Sequence, residues 1–338
     1  MIMSHRFLYV LVLVFSISLS FGQSKLLNAN TPGDIQKIEE KEKALDGSKP
    51  MPYGYVDTRD IMWSKIVWEK IDLNQKVNYP LLYPLDNNRL GSDRQSLFQV
   101  LIDGVKKGGK DPDSTGAITE VYATSYFQQK KTYDEIQNSL KTIFLPDVAL
   151  TKLGEYGITG TDNVQLLLDR AMTGDLSQYP EYSADLIREM EPYLIPTEIT
   201  AADITAYLIK GMWYFDKRQG ELKYRLLGIA PAGYDIQTQN PTYSGDPQII
   251  PYFWVWFKDA REALHNAKVL NADNGAQPLS FDHILNSRRF DAVIYKTQNM
   301  YEDREIETYI QDNALMQLLE AQRVKEQIRN FELDMWTY

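Results

Sequence analysis

Two strand-like runs, Ile204 to Phe215 and Glu221 to Ile229, flank the polar stretch Asp216-Lys217-Arg218-Gln219-Gly220. No other feature constrains the fold as tightly. Glycine at the last turn position suits a left-handed residue closing a hairpin. In the second run Glu221, Lys223 and Arg225 alternate with Leu222, Tyr224 and Leu226. Successive side chains on a strand point to opposite faces, so this strand has one wet face and one packed face. The chain must therefore build an antiparallel hairpin near 204–229, and Pro231 is expected to end its ladder.

The run Ile249 to Phe257 is the most hydrophobic after the N-terminus. On a strand, Phe253, Val255 and Phe257 face one way and Tyr252, Trp254 and Trp256 the other. Both faces are apolar, which predicts a strand near 249–257 covered on both sides. Lys258-Asp259-Ala260-Arg261 then opens a short helix. Val121 to Phe127 is a further strand candidate.

Helical patterns supply the rest. Asp57 or Thr58 is placed to cap a helix ending near Lys70. Its apolar set (Ile61, Met62, Trp63, Ile66, Val67, Trp68 and Ile71) covers more than one face, which predicts burial on two sides or at an interface. Asn78 to Pro84 reads as an extended edge. Ser92 and Gln95 form a capping box ahead of a second helix. Leu97, Val100, Leu101 and Val105 give that helix one core face, and Gly108-Gly109 is expected to stop it. Tyr133 to Lys141, Val164 to Ala171 and Phe281 to Arg288 are helix candidates. Asp147 to Leu153 has no clear pattern, and Arg289 to Thr297 fits helix or strand. Asn271 to Pro278 reads as a loop. A long helix is predicted over roughly 305–333. Its seam of Ile310, Ala314, Gln317, Ala321, Val324, Ile328, Phe331 and Met335 follows 4-3-4-3 spacing, suited to packing on the domain or to a coiled coil. The fold class is α+β: a single core domain with a mostly antiparallel sheet, packed helices and a long C-terminal helix.

Arg6 followed by the uncharged run Phe7 to Phe21 and the small residues around Gly22 predicts a secretory signal cleaved before Gln23. The expected organisation is a signal over 1–22, a flexible or partner-ordered arm over 23–50, a core over 51–300 and a helical segment over 301–338. The chain has no cysteine, which excludes disulfides and lipid attachment at a cysteine. Its formal net charge is −10. That balance argues against nucleic acid and anionic lipid, since both call for a basic surface. The 22 tyrosines and 6 tryptophans suit either core filling or extensive interfaces.

No motif carries catalysis. His265 and His283 belong to no HExxH pattern and lie near no Gly-x-Ser-x-Gly elbow. Gly104 to Lys110 matches GxxxxGK, but Asp111 follows where a magnesium-binding Ser or Thr is needed. Asp111, Asp113, Thr115 and Gly116 imitate half of an EF-hand, yet its twelfth position is Tyr122 rather than a bidentate Glu. Glu302, Asp303, Glu305 and Glu307 read as a solvated helix start.

The pattern Tyr53-Gly54-Tyr55-Val56-Asp57-Thr58-Arg59-Asp60-Ile61-Met62-Trp63, continuing to Asp72, resembles the GldN/PorN family of Bacteroidetes. The resemblance continues at Ile204 to Ile229, Phe253 to Phe257 and Ile310 to Trp336. It implies a non-enzymatic periplasmic subunit of the type IX secretion and gliding-motility machine. The implied partners are a GldK/PorK-like outer-membrane lipoprotein, which would share a ring with this chain and hold it at the outer membrane. The periplasmic region of a GldM/PorM-like motor protein and further copies of the chain complete the set. No cofactor and no direct membrane anchor are implied. Candidate interface residues are Trp63, Trp68, Trp254, Trp256, Val324, Ile328 and Phe331. The alternative is a periplasmic peptidoglycan- or carbohydrate-binding or -hydrolysing protein, with an exposed Trp platform or an acid pair in a cleft.

Overall fold

The computed structural model describes residues 49–336, apart from 87–93, 174–175, 180–181, 240–244, 246 and 270–278. The expected signal, nearly all of the expected arm, Ser92 and the 271–278 loop lie outside the described residues.

The predicted hairpin is the spine. β5 (Ile204–Asp216) and β6 (Glu221–Tyr234) pair along their whole length. Gly220 closes the turn at φ 67°, a left-handed conformation that suits glycine. Pro231 does not end the ladder, because β6 runs on to Tyr234. Its carbonyl accepts from Tyr252 N, so its missing N–H faces the break between two short outer strands and costs no ladder bond.

The segment predicted as the first helix is instead strand β1, Ile61–Asp72. Seven apolar residues on two faces suit a strand between two neighbours better than a helix. β1 pairs with β5 on one side and with β11 (Val293–Thr297) on the other, while β9 (Lys268–Val269) and β10 (Leu279–Ser280) pair only with each other among the described residues. The hydrophobic run at 249–257 breaks into β7 (Ile249–Pro251) and β8 (Trp254–Trp256), both on β6. Only Val121–Tyr122 of the 121–127 candidate forms a strand, β2. The sheet order is β11-β1-β5-β6-β8-β2, with β7 beside β6, and every pair is antiparallel.

Helices cover one face. α1 (Leu97–Lys110), α6 (Phe257–Asn266) and α7 (Phe281–Asn286) pack Leu97, Leu101, Phe257, Leu264 and Phe281 against Ile71, Tyr207, Ile209 and Ile229. Ser96, not Ser92, caps α1 by accepting from Gln99 N at 3.2 Å. Gly108-Gly109 does not stop it. A Cβ at Gly108 would strike the Ile118 carbonyl, so this glycine admits the backbone of the next segment against the helix. The GxxxxGK stretch is thus a packing face inside α1. Asn78 to Pro84 is not wholly extended, because Tyr79–Leu82 makes one helical turn.

The helices α2 (Tyr133–Leu140), α3 (Asp147–Glu155), α4 (Thr161–Thr173) and α5 (Ala184–Met190) complete the middle of the chain. α3 to α5 enclose a small core of their own, Ala149, Leu153, Leu167, Leu186 and Met190. They are inserted between β3 (Lys141–Thr142) and β4 (Thr197–Glu198), which pair as a two-stranded neck.

The C-terminal helix α8 spans Ala314–Trp336 and starts later than predicted. Residues 306–309 form a separate helical turn, and Glu305 bridges to Lys296. No helix of the described residues is long and apolar enough to cross a membrane.

Candidate interaction surfaces

Alternation along β1 sends its two tryptophans to opposite faces. Trp63 lies on the helical side with Val67, Glu69 and Ile71. Its ring stacks on Phe331 of α8, with centroids 4.6 Å apart and planes 17° from parallel. Phe215 meets the same Phe331 ring edge-on at 6.0 Å. Higher on α8, Ala321, Val324 and Ile328 are buried against Val67 and Ile294. Lys325 Nζ donates to Ala292 O at 2.7 Å and fixes the helix along β11. The seam of α8 is therefore covered by this chain's own sheet, and Val324 and Ile328 are core.

Trp68 faces the other way and is 1% exposed. The two residues directly opposite it are both lysines, Lys210 on β5 and Lys296 on β11. Their ammonium groups lie 4.8 and 5.1 Å from the Trp68 ring, and both also approach Tyr126. Such cation–π contacts strengthen when water is excluded. Lys210 Nζ also donates to Ser125 O at 2.8 Å. Burial lowers the Lys210 pKa, with Asp303 opposing the shift and Lys296 adding to it. The loop after β2 thus closes over the sheet. Phe127 packs edge-on against Trp254 and, at 4.9 Å, Trp256. Trp254 is buried and Trp256 half-buried, so neither is the open platform that sugar stacking requires.

Two buried ion pairs brace the helical side. Glu69 accepts two bonds from Arg288, at 2.8 and 2.9 Å, and one from Tyr224. Arg261 makes a two-pronged contact with Asp282, at 2.8 and 3.0 Å. Asn286 donates to the same Asp282. Each carboxylate is consumed by structure, as buried charges must be. Among the described residues no group of three or more His, Cys, Asp or Glu is placed to hold a metal.

Of the residues singled out from the sequence, Trp68, Trp254, Val324 and Ile328 are buried and Trp63, Trp256 and Phe331 half-buried; other apolar residues are more exposed. Leu315, Met316, Leu318 and Leu319, on the first two turns of α8, are 67%, 48%, 52% and 53% exposed. Met300 and Tyr301, just beyond β11, are also exposed. A second apolar set, Val148, Leu150 and Ile195, lies at the helical insert. The signal for the α8 patch was present: these leucines and Met316 sit off the 4-3-4-3 seam. A helix apolar on and off its seam has more apolar surface than one partner face can cover.

The structure is thus that of an α+β sheet protein whose two buried carboxylates, Glu69 and Asp282, are paired internally and whose C-terminal helix displays apolar side chains at its start. The family model for "Gliding motility associated protein GldN" matches residues 56–337. The chain belongs to the GldN family and so to the gliding-motility machinery. No curated protein matches the chain.

Proposed function

We propose that this protein is a non-enzymatic structural subunit of the type IX secretion and gliding-motility machine, acting through protein–protein contact in the periplasm. In this reading it forms a ring with a GldK/PorK-like outer-membrane lipoprotein, which holds it at the outer membrane. The ring meets the periplasmic region of a GldM/PorM-like motor protein. The observation that carries the reading is the family match across residues 56–337, from the start of the sheet to the end of α8. The exposed start of α8 supports it, because a contiguous apolar patch at a rigid element is a usual mark of a protein contact.

The test is co-expression of residues 23–338 with the soluble domain of the lipoprotein, followed by light scattering after gel filtration. A stable hetero-complex that grows to larger closed species on concentration is expected. A monomer that ignores the lipoprotein would sink the proposed assembly.

A further inference from the structure

Arg261 and Arg288 are built alike. Each guanidinium lies against a tyrosine ring, 4.3 Å from Tyr53 and 4.2 Å from Tyr224, and each closes on a buried carboxylate, Asp282 and Glu69. Arg225 has the same aromatic seat without the acid. Its guanidinium lies 4.9 Å from the Tyr53 ring and 5.6 Å from the Tyr214 ring. Tyr53 is itself fixed, donating to Asn286 Oδ1 at 2.6 Å. Arg225 Nη2 donates to Gly54 O at 2.9 Å and to the Tyr214 hydroxyl at 3.4 Å. Among the described residues no carboxylate pairs with Arg225, and its Nε and Nη1 have no acceptor. Lys223, its neighbour along the wet side of β6, turns instead to Glu221 at 3.7 Å.

Arg225 lines a groove of about 840 Å³. Residues 50–56 line it too, together with Met212, Leu227 and Trp256. Within that stretch Tyr55 is 89% exposed. Arg261 also borders the groove but is held by Asp282. Asp113 and Glu262 are part of the same lining, which disfavours a ligand of many negative charges such as a nucleic acid. The groove therefore suits a single negative charge set beside apolar groups.

We propose that this groove binds an extended peptide segment of a partner protein and that Arg225 receives one carboxylate of that segment. The assignment rests on the reading of this chain as a contact protein, which favours a peptide acid over a free small anion. A planar guanidinium matches the two oxygens of a carboxylate, and rings against its faces leave its in-plane N–H groups available. The Tyr53 and Tyr214 rings and the Gly54 carbonyl already orient Arg225, so little side-chain freedom remains to be lost on binding. Met212, Leu227 and Trp256 offer apolar surface to the side chain beside the acid. The complementarity is thus one of charge at Arg225 and of apolar contact around it.

A phage-displayed library of short random peptides, panned on residues 23–338, tests the assignment without presupposing which protein supplies the segment. Selection should enrich an Asp or Glu beside an apolar residue. The enriched peptide is then labelled, and its Kd is read by fluorescence anisotropy. Replacing its acid by the amide, or Arg225→Gln in the protein, should each weaken binding at least ~10-fold, and both together should weaken it no further. Tyr55→Ser should also weaken binding while the thermal melt stays unchanged, because Tyr55 is so exposed. That variant decides the matter if Arg225→Gln fails to fold. No enrichment, a motif without an acid, losses that multiply in the double variant, or unchanged binding by Tyr55→Ser would overturn the proposal. A motif matching a stretch of this chain would reassign the groove to self-contact and overturn it as well. Failure here leaves the lipoprotein assembly to its own light-scattering test, since the library contains no lipoprotein.

Discussion

Tyr53 is one side chain wedged between two guanidiniums, and its chemistry has a pH signature. Burial pushes its hydroxyl from the ordinary value of 10.0 up to about 12, against the downward pull of Arg261. The folded state therefore favours the protonated phenol. The stabilisation is complete below pH ~10 and is lost as pH rises through ~12. Burial raises Tyr207, Tyr224, Tyr252 and Tyr295 in the same direction, so alkaline unfolding should be steep. Tyr53→Phe keeps the ring but loses the bond to Asn286. We expect it to cost about 1 kcal/mol at neutral pH and to flatten the alkaline limb in a series of urea melts. An equally steep limb in the variant would count against this role for Tyr53. At Glu69, whose side chain is 2% exposed beside Arg288, the arithmetic is harsher. Arg288→Met should cost about 3–5 kcal/mol, because it strands a buried carboxylate. Adding Glu69→Leu should restore most of that loss, and denaturant midpoints of the single and double variants would decide.

At the scale of elements, α8 has two roles on two sides. Ile328→Ala should cost about 2–4 kcal/mol by opening a cavity against Val67 and Ile294. Replacing Leu315, Leu318 and Leu319 together by Gln should move stability by no more than ~0.5 kcal/mol each while weakening partner capture in the co-expression assay. If the triple variant unfolds, those leucines are core after all. This division explains what was legible beforehand. The hairpin could be read because β6 alternates locally, with charge on one side and Leu222, Tyr224 and Leu226 on the other. β1 could not. Its inward row Trp63, Lys65, Val67, Glu69, Ile71 is interrupted by two charged residues, Lys65, which meets Gln327 of α8, and Glu69, whose partner, Arg288, lies 219 residues away. With that partner unknown, the alternation vanishes and the remaining apolar residues imitate a helix. The interface candidates had the same difficulty. Trp63, Val324, Ile328 and Phe331 were recognisable as contact makers, but that they contact one another is decided by long-range packing. The more exposed apolar residues, Leu315, Met316, Leu318 and Leu319, lie off the seam.

Across the whole molecule, stability is unevenly distributed. The helical insert has its own core and a neck of only two paired residues on each side, Lys141 with Glu198 and Thr142 with Thr197. Replacing residues 146–194 by a short Gly-Ser link should leave the sheet folded, with a melting transition as cooperative as that of the intact chain. Loss of that transition in circular dichroism would show that the insert and sheet fold as one unit.

The strand order also dictates when the protein can finish folding. β1 is the first strand among the described residues, yet Ile71 pairs with Tyr207 and Lys70 with Val293. Its closing helix α8 follows every other described element in the chain. An N-terminal half in this state has a strand with no neighbour and a face with no lid, and loops of such length close slowly. The chain therefore stays pliable until nearly all of it exists. In that interval the Ile66-Val67-Trp68 run, buried or half-buried in the finished fold, is open to non-native association.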